Sequence, residues 1–524
     1  MKKQLLSVLL STAMLTAFAQ PAAPDKYGAA ITKEDLKKQL SVIASAEMEG
    51  RETGTEGQRK AAAYIAGQFK AFGLTPAPGT DNYQQYYAIG YDTVLRSQLL
   101  VDNKALIAGK DYVDEVSMNT DGSFNAKEIV FVGYGIGDDK YNDYAGKDVK
   151  GKLVIFFAGE PKQEGAYFIS GTKSYSVWTY PGGLRQKAEL AKQKGAVGII
   201  VINANLDSIS ANQARSGKKS STRLIADVSA NEGINAITIA GGGAKSLLGD
   251  DFFTTTLAKA RKNELLNASA FSKKIKIKYD YAEQKITTNC SNVAGYIEGS
   301  DKKDEYVILT GHYDHLGTHN GQIYFGADDD GSGTCAVLEM AQTFAKAKAE
   351  GNGPRRTIVF MTVSGEEKGL WGSEHYSNHP LFPLDKTSVD LNTDMIGRID
   401  TERKTEDSLN YVYVIGHDKL SSELVGINEA ANNKYTGLVL DYKYDDPKDP
   451  NRIYYRSDHY NFARKGIPIL FFYDGMLQAD YHKPTDTVDK IYWDIYEKRA
   501  RMIFYTAWQM ANRDDMLKRD IPLN

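Results

Sequence analysis

The chain has 524 residues, of which 42% are hydrophobic and 25% charged, and its formal net charge is -3. That length can bury more than one core, so two domains are expected. Near-neutral charge excludes a basic footprint for nucleic acid and a polybasic membrane patch, so partners must follow from the site and not from global charge.

In chain order, Lys2 and Lys3 precede an apolar run over 5–18, and Ala17-Phe18-Ala19 forms a small-x-small cleavage site. This pattern predicts a signal peptide over 1–19 and an exported protein, periplasmic or secreted. The run is shorter than the roughly 20 residues of a bilayer span, and no later stretch predicts one. Thr32-x-x-Asp35 predicts a capped helix start. A second helix is expected over 57–72, with Ile65, Phe69 and Phe72 on one face and Gly73 as its stop. From about residue 95 the texture changes to short strands at 128–133, 153–157 and 197–202, with a helix over 187–194. This middle region is rich in Gly, Ser, Asn and Lys and carries no clustered ligand types. From Asn292 onward, strands at 307–309, 357–363, 389–391 and 467–472 alternate with helices over 333–348 and 491–510. That alternation predicts an α/β class with a mostly parallel or mixed sheet sandwiched by helices, binding ligands outside the carboxyl ends of its strands. Cys290 and Cys335 are too few for a disulfide scaffold; export permits a bridge, but the sequence does not bring the sulfurs together.

All eight histidines lie beyond position 311, which gives the chain one half with metal-site chemistry and one half without it. Five elements there place His, Asp or Glu just past apolar runs: Gly-His-Tyr-Asp-His-Leu-Gly at 311–317, Gly-Ala-Asp-Asp-Asp-Gly-Ser-Gly at 326–333, Ser-Gly-Glu-Glu at 364–367, Asn-Thr-Asp-Met at 392–395 and Tyr-His-Lys-Pro-Thr-Asp-Thr at 481–487. Oxygen and imidazole donors without thiolates suit zinc or a similar divalent ion. Any one element alone reads as structure, since an Asp run is usually a turn and a Glu pair a solvated face; their conjunction reverses that weighting. Charge also balances. Two divalent ions meet carboxylates at Asp329, Glu367 and Asp394 plus one hydroxide, with neutral His312 and His482 completing the shell. Glu366 is then left free beside the ions as a general base.

The order and wording of these elements resemble the M28 family of zinc peptidases. The resemblance implies a zinc exopeptidase fold holding two zinc ions, bridged by Asp329, with His312 and Asp394 on one and Glu367 and His482 on the other. It makes Glu366 the general base, and Asp314 the supporting carboxylate that fixes the His312 tautomer. It also implies a cis peptide between Asp329 and Asp330. Tyr454 stands where some relatives place a phenol able to stabilise an oxyanion. Phe-Val-Gly-Tyr-Gly-Ile at 131–136, Asp148-Val-Lys-Gly-Lys152 and Gly195-Ala-Val-Gly198 resemble a protease-associated (PA) domain, expected as a β-rich insert over 115–270. The peptidase domain then comprises 20–114 and 271–524. Glu49-Gly-Arg-Glu-Thr-Gly-Thr55 resembles the lead-in to that domain, so residues 27–90 are expected to pack on the core built from 292 onward.

The activity implied is hydrolysis of peptides or protein fragments, with an aminopeptidase ahead of a carboxypeptidase. A glutaminyl-cyclase-like enzyme fits less well because of the insert, and a receptor-like binding module because all five ligand positions are intact. Thr310-Gly311 removes the histidine pair of a metallo-β-lactamase. His315 and His319 are expected at the rim. Adjacent Ser457-Asp458-His459 cannot form a nucleophilic triad. Side-chain preference and oligomeric state are not written in the sequence.

Overall fold

Strand residues in the second half of the chain alternate between two apolar layers, as a sheet buried on both faces requires. Val307 and Leu309 pack with Leu36, Leu40, Ile65, Phe69 and Phe344 on one side. Ile308 packs with Tyr376, Phe462 and Phe471 on the other. These relations come from a computed structural model that describes residues 24–179, 182–206, 220–224, 233–266, 271–405, 409–446 and 448–523. The expected signal peptide over 1–19 lies outside the described residues.

Two compact units divide the chain, one formed by the residues up to Tyr87 and from Asn289, the other by Ala88–Thr288. In the first unit the strand order is Val439–Asp441, Tyr411–Ile415, Ile469–Tyr473, Thr387–Thr393, Lys302–His312, Arg356–Val363 and the end of Phe271–Ile297. The four middle strands are mutually parallel. Antiparallel partners flank them on either side, so the sheet is mixed. Helices Lys33–Ile43, Glu56–Ala71, Gly333–Ala349 and Trp493–Asn512 supply residues to the Phe344 layer. The Thr32 hydroxyl accepts the Asp35 N–H at 3.2 Å, and Thr55 caps the next helix, so both expected helix starts are present. The lead-in residues therefore pack on the core from which about 200 residues separate them. Arg51 explains how. Its fully buried guanidinium donates to the carbonyls of Tyr313, Ile43, Phe325 and Gly326 at 2.6–2.9 Å, tying the lead-in to two ligand-bearing loops.

The second unit has parallel strands Gly122–Phe131, Leu153–Phe157, Gly198–Asn203 and Ala236–Ala240, with Tyr112–Asp114 antiparallel at one edge. Its limits lie outside the expected 115–270. The reason is that the chain leaves the first unit within strand Gln84–Val101 and returns within Phe271–Ile297. Residues 89–93 pair with Ser220–Leu224, and residues 271–281 pair with Gly122–Phe131, so these flanks belong to the second unit. A strand that continues across a boundary leaves no punctuation in the sequence. Cys290 and Cys335 are both free and buried. Among the described residues no helix is long and apolar enough to cross a membrane.

Candidate metal centre

Because the four middle strands run in parallel, their carboxyl ends share one edge, and the expected donors gather there. His312 ends Lys302–His312, Asp394 follows Thr387–Thr393, Glu366 and Glu367 form a turn after Arg356–Val363, and His482 lies on the segment after Ile469–Tyr473. Asp329 sits in an irregular turn before helix Gly333–Ala349, and its peptide bond to Asp330 is cis.

The two Asp329 oxygens face two separate groups. Oδ1 is 3.3 Å from His312 Nε2, which is 3.6 Å from Asp394. Oδ2 is 3.1 Å from His482 Nε2, which is 3.0 Å from Glu367. One carboxylate thus spans two donor clusters, as a bridging ligand must. Several donor atoms here are buried without a hydrogen-bond partner: Asp329 Oδ2, Glu367 Oε1 and both ring nitrogens of His315. Orphaned polar atoms are costly, and a divalent ion would satisfy them together, so the residues present fit the group that the resemblance implies.

The electrostatics are those of a carboxylate nest seeking positive charge. Burial pushes Asp329 up, but His312 and His482 outweigh it and hold the carboxyl well below its ordinary range. Glu367 falls to about 2, with His315 and His482 overcoming its burial. The His482 imidazole rises to about 10 despite burial, drawn up by Asp329 and Glu367. Glu366 moves the opposite way from its neighbour. Burial raises its carboxyl well above the ordinary value, and Glu367 and Asp394 add to the effect against His312.

Two further carboxylates hold the donor loops in place. Asp330 accepts the N–H groups of His312, Gly333 and Met395 at 2.8–3.0 Å, tying together the loops of His312, Asp329 and Asp394. Asp486 accepts the N–H groups of Asp328 and Asp329 at 3.0–3.1 Å, joining the His482 segment to the Asp329 turn. Asp314 approaches His312 through both its backbone and its side chain. His312 Nδ1 meets its backbone carbonyl at 3.1 Å, closer than its carboxylate at 3.7 Å. The carboxylate also accepts the Thr53 hydroxyl at 2.6 Å and the Glu366 N–H at 3.2 Å, so it orients the Glu366 turn.

A cleft beside the donors is lined by Asp329, Glu366 and Asp394, by apolar Met395, Ile453, Phe471 and Leu477, and by Arg456, Tyr473 and Tyr481. Tyr454 is not among its lining residues. Its hydroxyl is buried without a partner and its ring lies 5.0 Å from the Lys419 ammonium, because the turn Ile453–Tyr455 directs Ile453 to the cleft. Two phenols line the cleft instead, Tyr473 and Tyr481; the Tyr481 hydroxyl accepts from Arg456 at 3.0 Å and its ring stacks on His482. Its position next to a predicted ligand was the available signal. His319 is exposed, whereas His315, also expected at the rim, is fully buried beside Glu367. The segment 315–317 pairs back onto the lead-in, with His315 N–H donating to the Arg51 carbonyl, which turns the ring inward.

An α/β sheet carrying two linked carboxylate–imidazole clusters at the carboxyl ends of its parallel strands is an arrangement able to hold divalent ions. Residues 292–507 match the model of peptidase family M28, and residues 120–235 match that of the PA domain. Residues 292–507 are thus similar to an M28 peptidase domain, and residues 120–235, ahead of them in the chain, to a PA domain. A "Probable leucine aminopeptidase" of Arthroderma otae is 26% identical over 216 residues, covering 40% of this chain and 55% of the relative. A probable glutamate carboxypeptidase of Arabidopsis thaliana is 38% identical over 96 residues, covering 18% of this chain and 13% of that protein. The chain thus spans little more than half the length of the curated relatives it matches first. Among solved structures, an aminopeptidase from Aneurinibacillus sp. strain AM-1 is similar with a TM-score of 0.58 at 20% identity, covering 95% of this chain and 99% of that one. At that identity the likeness concerns the fold.

Proposed function

We propose that the protein is an exported, zinc-dependent exopeptidase that releases residues from the amino end of peptides. The observation carrying this reading is Asp329, whose two oxygens face two donor clusters while Glu366 lines the cleft between them and the apolar wall. Two zinc ions held by His312, Asp329 and Asp394 and by Asp329, Glu367 and His482 would acidify a water and polarise the scissile carbonyl. Glu366, at the cleft beside the donors, accepts the proton of the attacking water and returns one to the leaving amine. The Tyr481 hydroxyl, held by Arg456, is placed to donate to the carbonyl oxygen as negative charge develops there. Met395, Ile453, Phe471 and Leu477 offer an apolar surface to the side chain beside the scissile bond. Export is supported by Lys2, Lys3 and the apolar run over 5–18, and N-terminal sequencing of the mature protein tests it.

The amino end is favoured by the aminopeptidase names among the relatives and neighbours. Arg456 is the observation that favours the other end, since a guanidinium at the cleft can meet a terminal carboxylate. Digestion of a mixed peptide pool by the zinc-loaded protein, read by mass spectrometry, separates the two. Ladders shortened from the amino end are expected. Shortening from the carboxyl end alone assigns a carboxypeptidase, and an untouched pool rejects peptide hydrolysis.

A further inference from the structure

We propose that His315 is itself a metal ligand, the fourth protein ligand of the position formed by Asp329, Glu367 and His482. The inference rests on the metallopeptidase reading above and extends its donor set. A buried histidine is ordinarily a core residue whose ring nitrogens find partners. His315 is fully buried, and neither of its ring nitrogens has a hydrogen-bond partner. Leaving one such group unmet costs on the order of 1–3 kcal/mol. Both atoms it faces are orphans too. His315 Nδ1 lies 2.8 Å from Glu367 Oε1 and 3.9 Å from Asp329 Oδ2, and each of those oxygens lacks a hydrogen bond. Donor atoms of these three residues lie within 4.8 Å of one another. These donor atoms approach one another without an aligned hydrogen bond, the arrangement of side chains that converge on a common ion. Separations of this size are those of donors sitting about 2.0–2.2 Å from one zinc ion.

The backbone is shaped for this placement. Gly326 holds φ +56°, and a Cβ there would lie 2.5 Å from the His315 ring, so the glycine leaves the ring its space. The pairing of Glu52 with His315 and the Arg51 guanidinium on the Tyr313 and Gly326 carbonyls fix the loop from the far side. With His315 included, the two positions differ. One has a single imidazole, His312, with carboxylates from Asp329 and Asp394. The other has two imidazoles, His315 and His482, with carboxylates from Asp329 and Glu367. Nitrogen-rich sites favour zinc over magnesium or manganese, so the second position fills first and holds zinc more tightly.

The test compares the full-length protein with His315→Ala and His315→Gln, all stripped of metal and titrated with zinc against a chromogenic chelator. Wild type is expected to show two affinities. Both variants should lose more than about tenfold at the tighter position, since even outer partners of ligands contribute about 10–100-fold, with the weaker position unchanged. In protein labelled with 15N-histidine and loaded with 113Cd, scalar coupling to His315 Nδ1 is expected. Unchanged affinities in both variants, or no coupling to His315 with both positions filled, overturns the proposal. Urea unfolding of the metal-free forms identifies a variant that has lost its fold, and the coupling in wild type then decides alone. A wild type that takes up no zinc overturns both this proposal and the function. One that binds two zinc ions but cleaves no peptide overturns only the activity.

Discussion

Glu366 and Glu367 are adjacent and chemically identical, yet their surroundings pull them apart. Glu367 faces His315 and His482, which hold its carboxyl down, whereas desolvation and the neighbouring Glu367 and Asp394 push the Glu366 carboxyl up. Replacing Glu366 with Gln keeps the shape but removes the proton acceptor. Turnover should fall about 10²–10⁴-fold with metal content unchanged. Glu367→Gln should instead lower bound zinc, and elemental analysis beside peptide kinetics checks the pair; loss of metal from the Glu366 variant alone would reverse the assignment. The two tyrosines make a second contrast. Tyr481→Phe removes the hydroxyl at the cleft and should lower kcat by up to about 10²–10³-fold, while Tyr454→Phe leaves kcat within about twofold. Equal losses would place Tyr454 in the chemistry after all.

At the scale of elements, the donors hold their positions because loops from distant parts of the chain are fastened to one another. Arg51 is one fastener: truncating it to Met leaves three buried carbonyls and one half-buried one without their charged donor. Urea unfolding should show a loss of at least about 3 kcal/mol, and zinc affinity should fall with it. The short helix His459–Ala463 supplies a pH-sensitive part. His459 stacks on Phe471, approaches the Tyr454 carbonyl through Nε2 at 2.8 Å, and is lowered by burial to about 4. Its folded value lies below the unfolded one, so the fold favours the neutral ring. That contribution is complete above about pH 6.5 and is lost as pH falls towards 4, up to about 3 kcal/mol. Metal-free His459→Gln should therefore lose stability less steeply than wild type between pH 6.5 and 4. Identical slopes would show that His459 does not carry the effect. Sequence periodicity located the strands at 307–309, 357–363, 389–391 and 467–472 because each is a short apolar run closed by polar residues. It passed over the extended segments Gln84–Val101 and Phe271–Ile297, where charged and apolar residues mix and only distant partners define a strand. The motif residues were legible as ligand types. The inward turn of His315 and the burial of Tyr454 away from the cleft were not, since each depends on contacts with other parts of the chain.

On the scale of the whole molecule, the histidine-free first three-fifths of the sequence already separated a metal-binding part from the rest. The structure places every expected donor in the unit formed by the residues up to Tyr87 and from Asn289, and none in Ala88–Thr288. Zinc should then stabilise the chain locally. Removing the ions leaves Asp329, Glu367 and Asp394 close together with only imidazoles to offset them, which loosens the loops that carry them. A ligand present at 100 times its Kd stabilises by about 2.7 kcal/mol, so zinc should raise the melting temperature of the chelated protein by several degrees. Hydrogen exchange resolves where that gain falls. Zinc should slow exchange in 310–332, 364–372, 392–398 and 479–488, while Leu153–Phe157 and Gly198–Asn203 exchange as before. Protection spread equally over both units would contradict a metal site confined to one, and no change anywhere would remove the site itself.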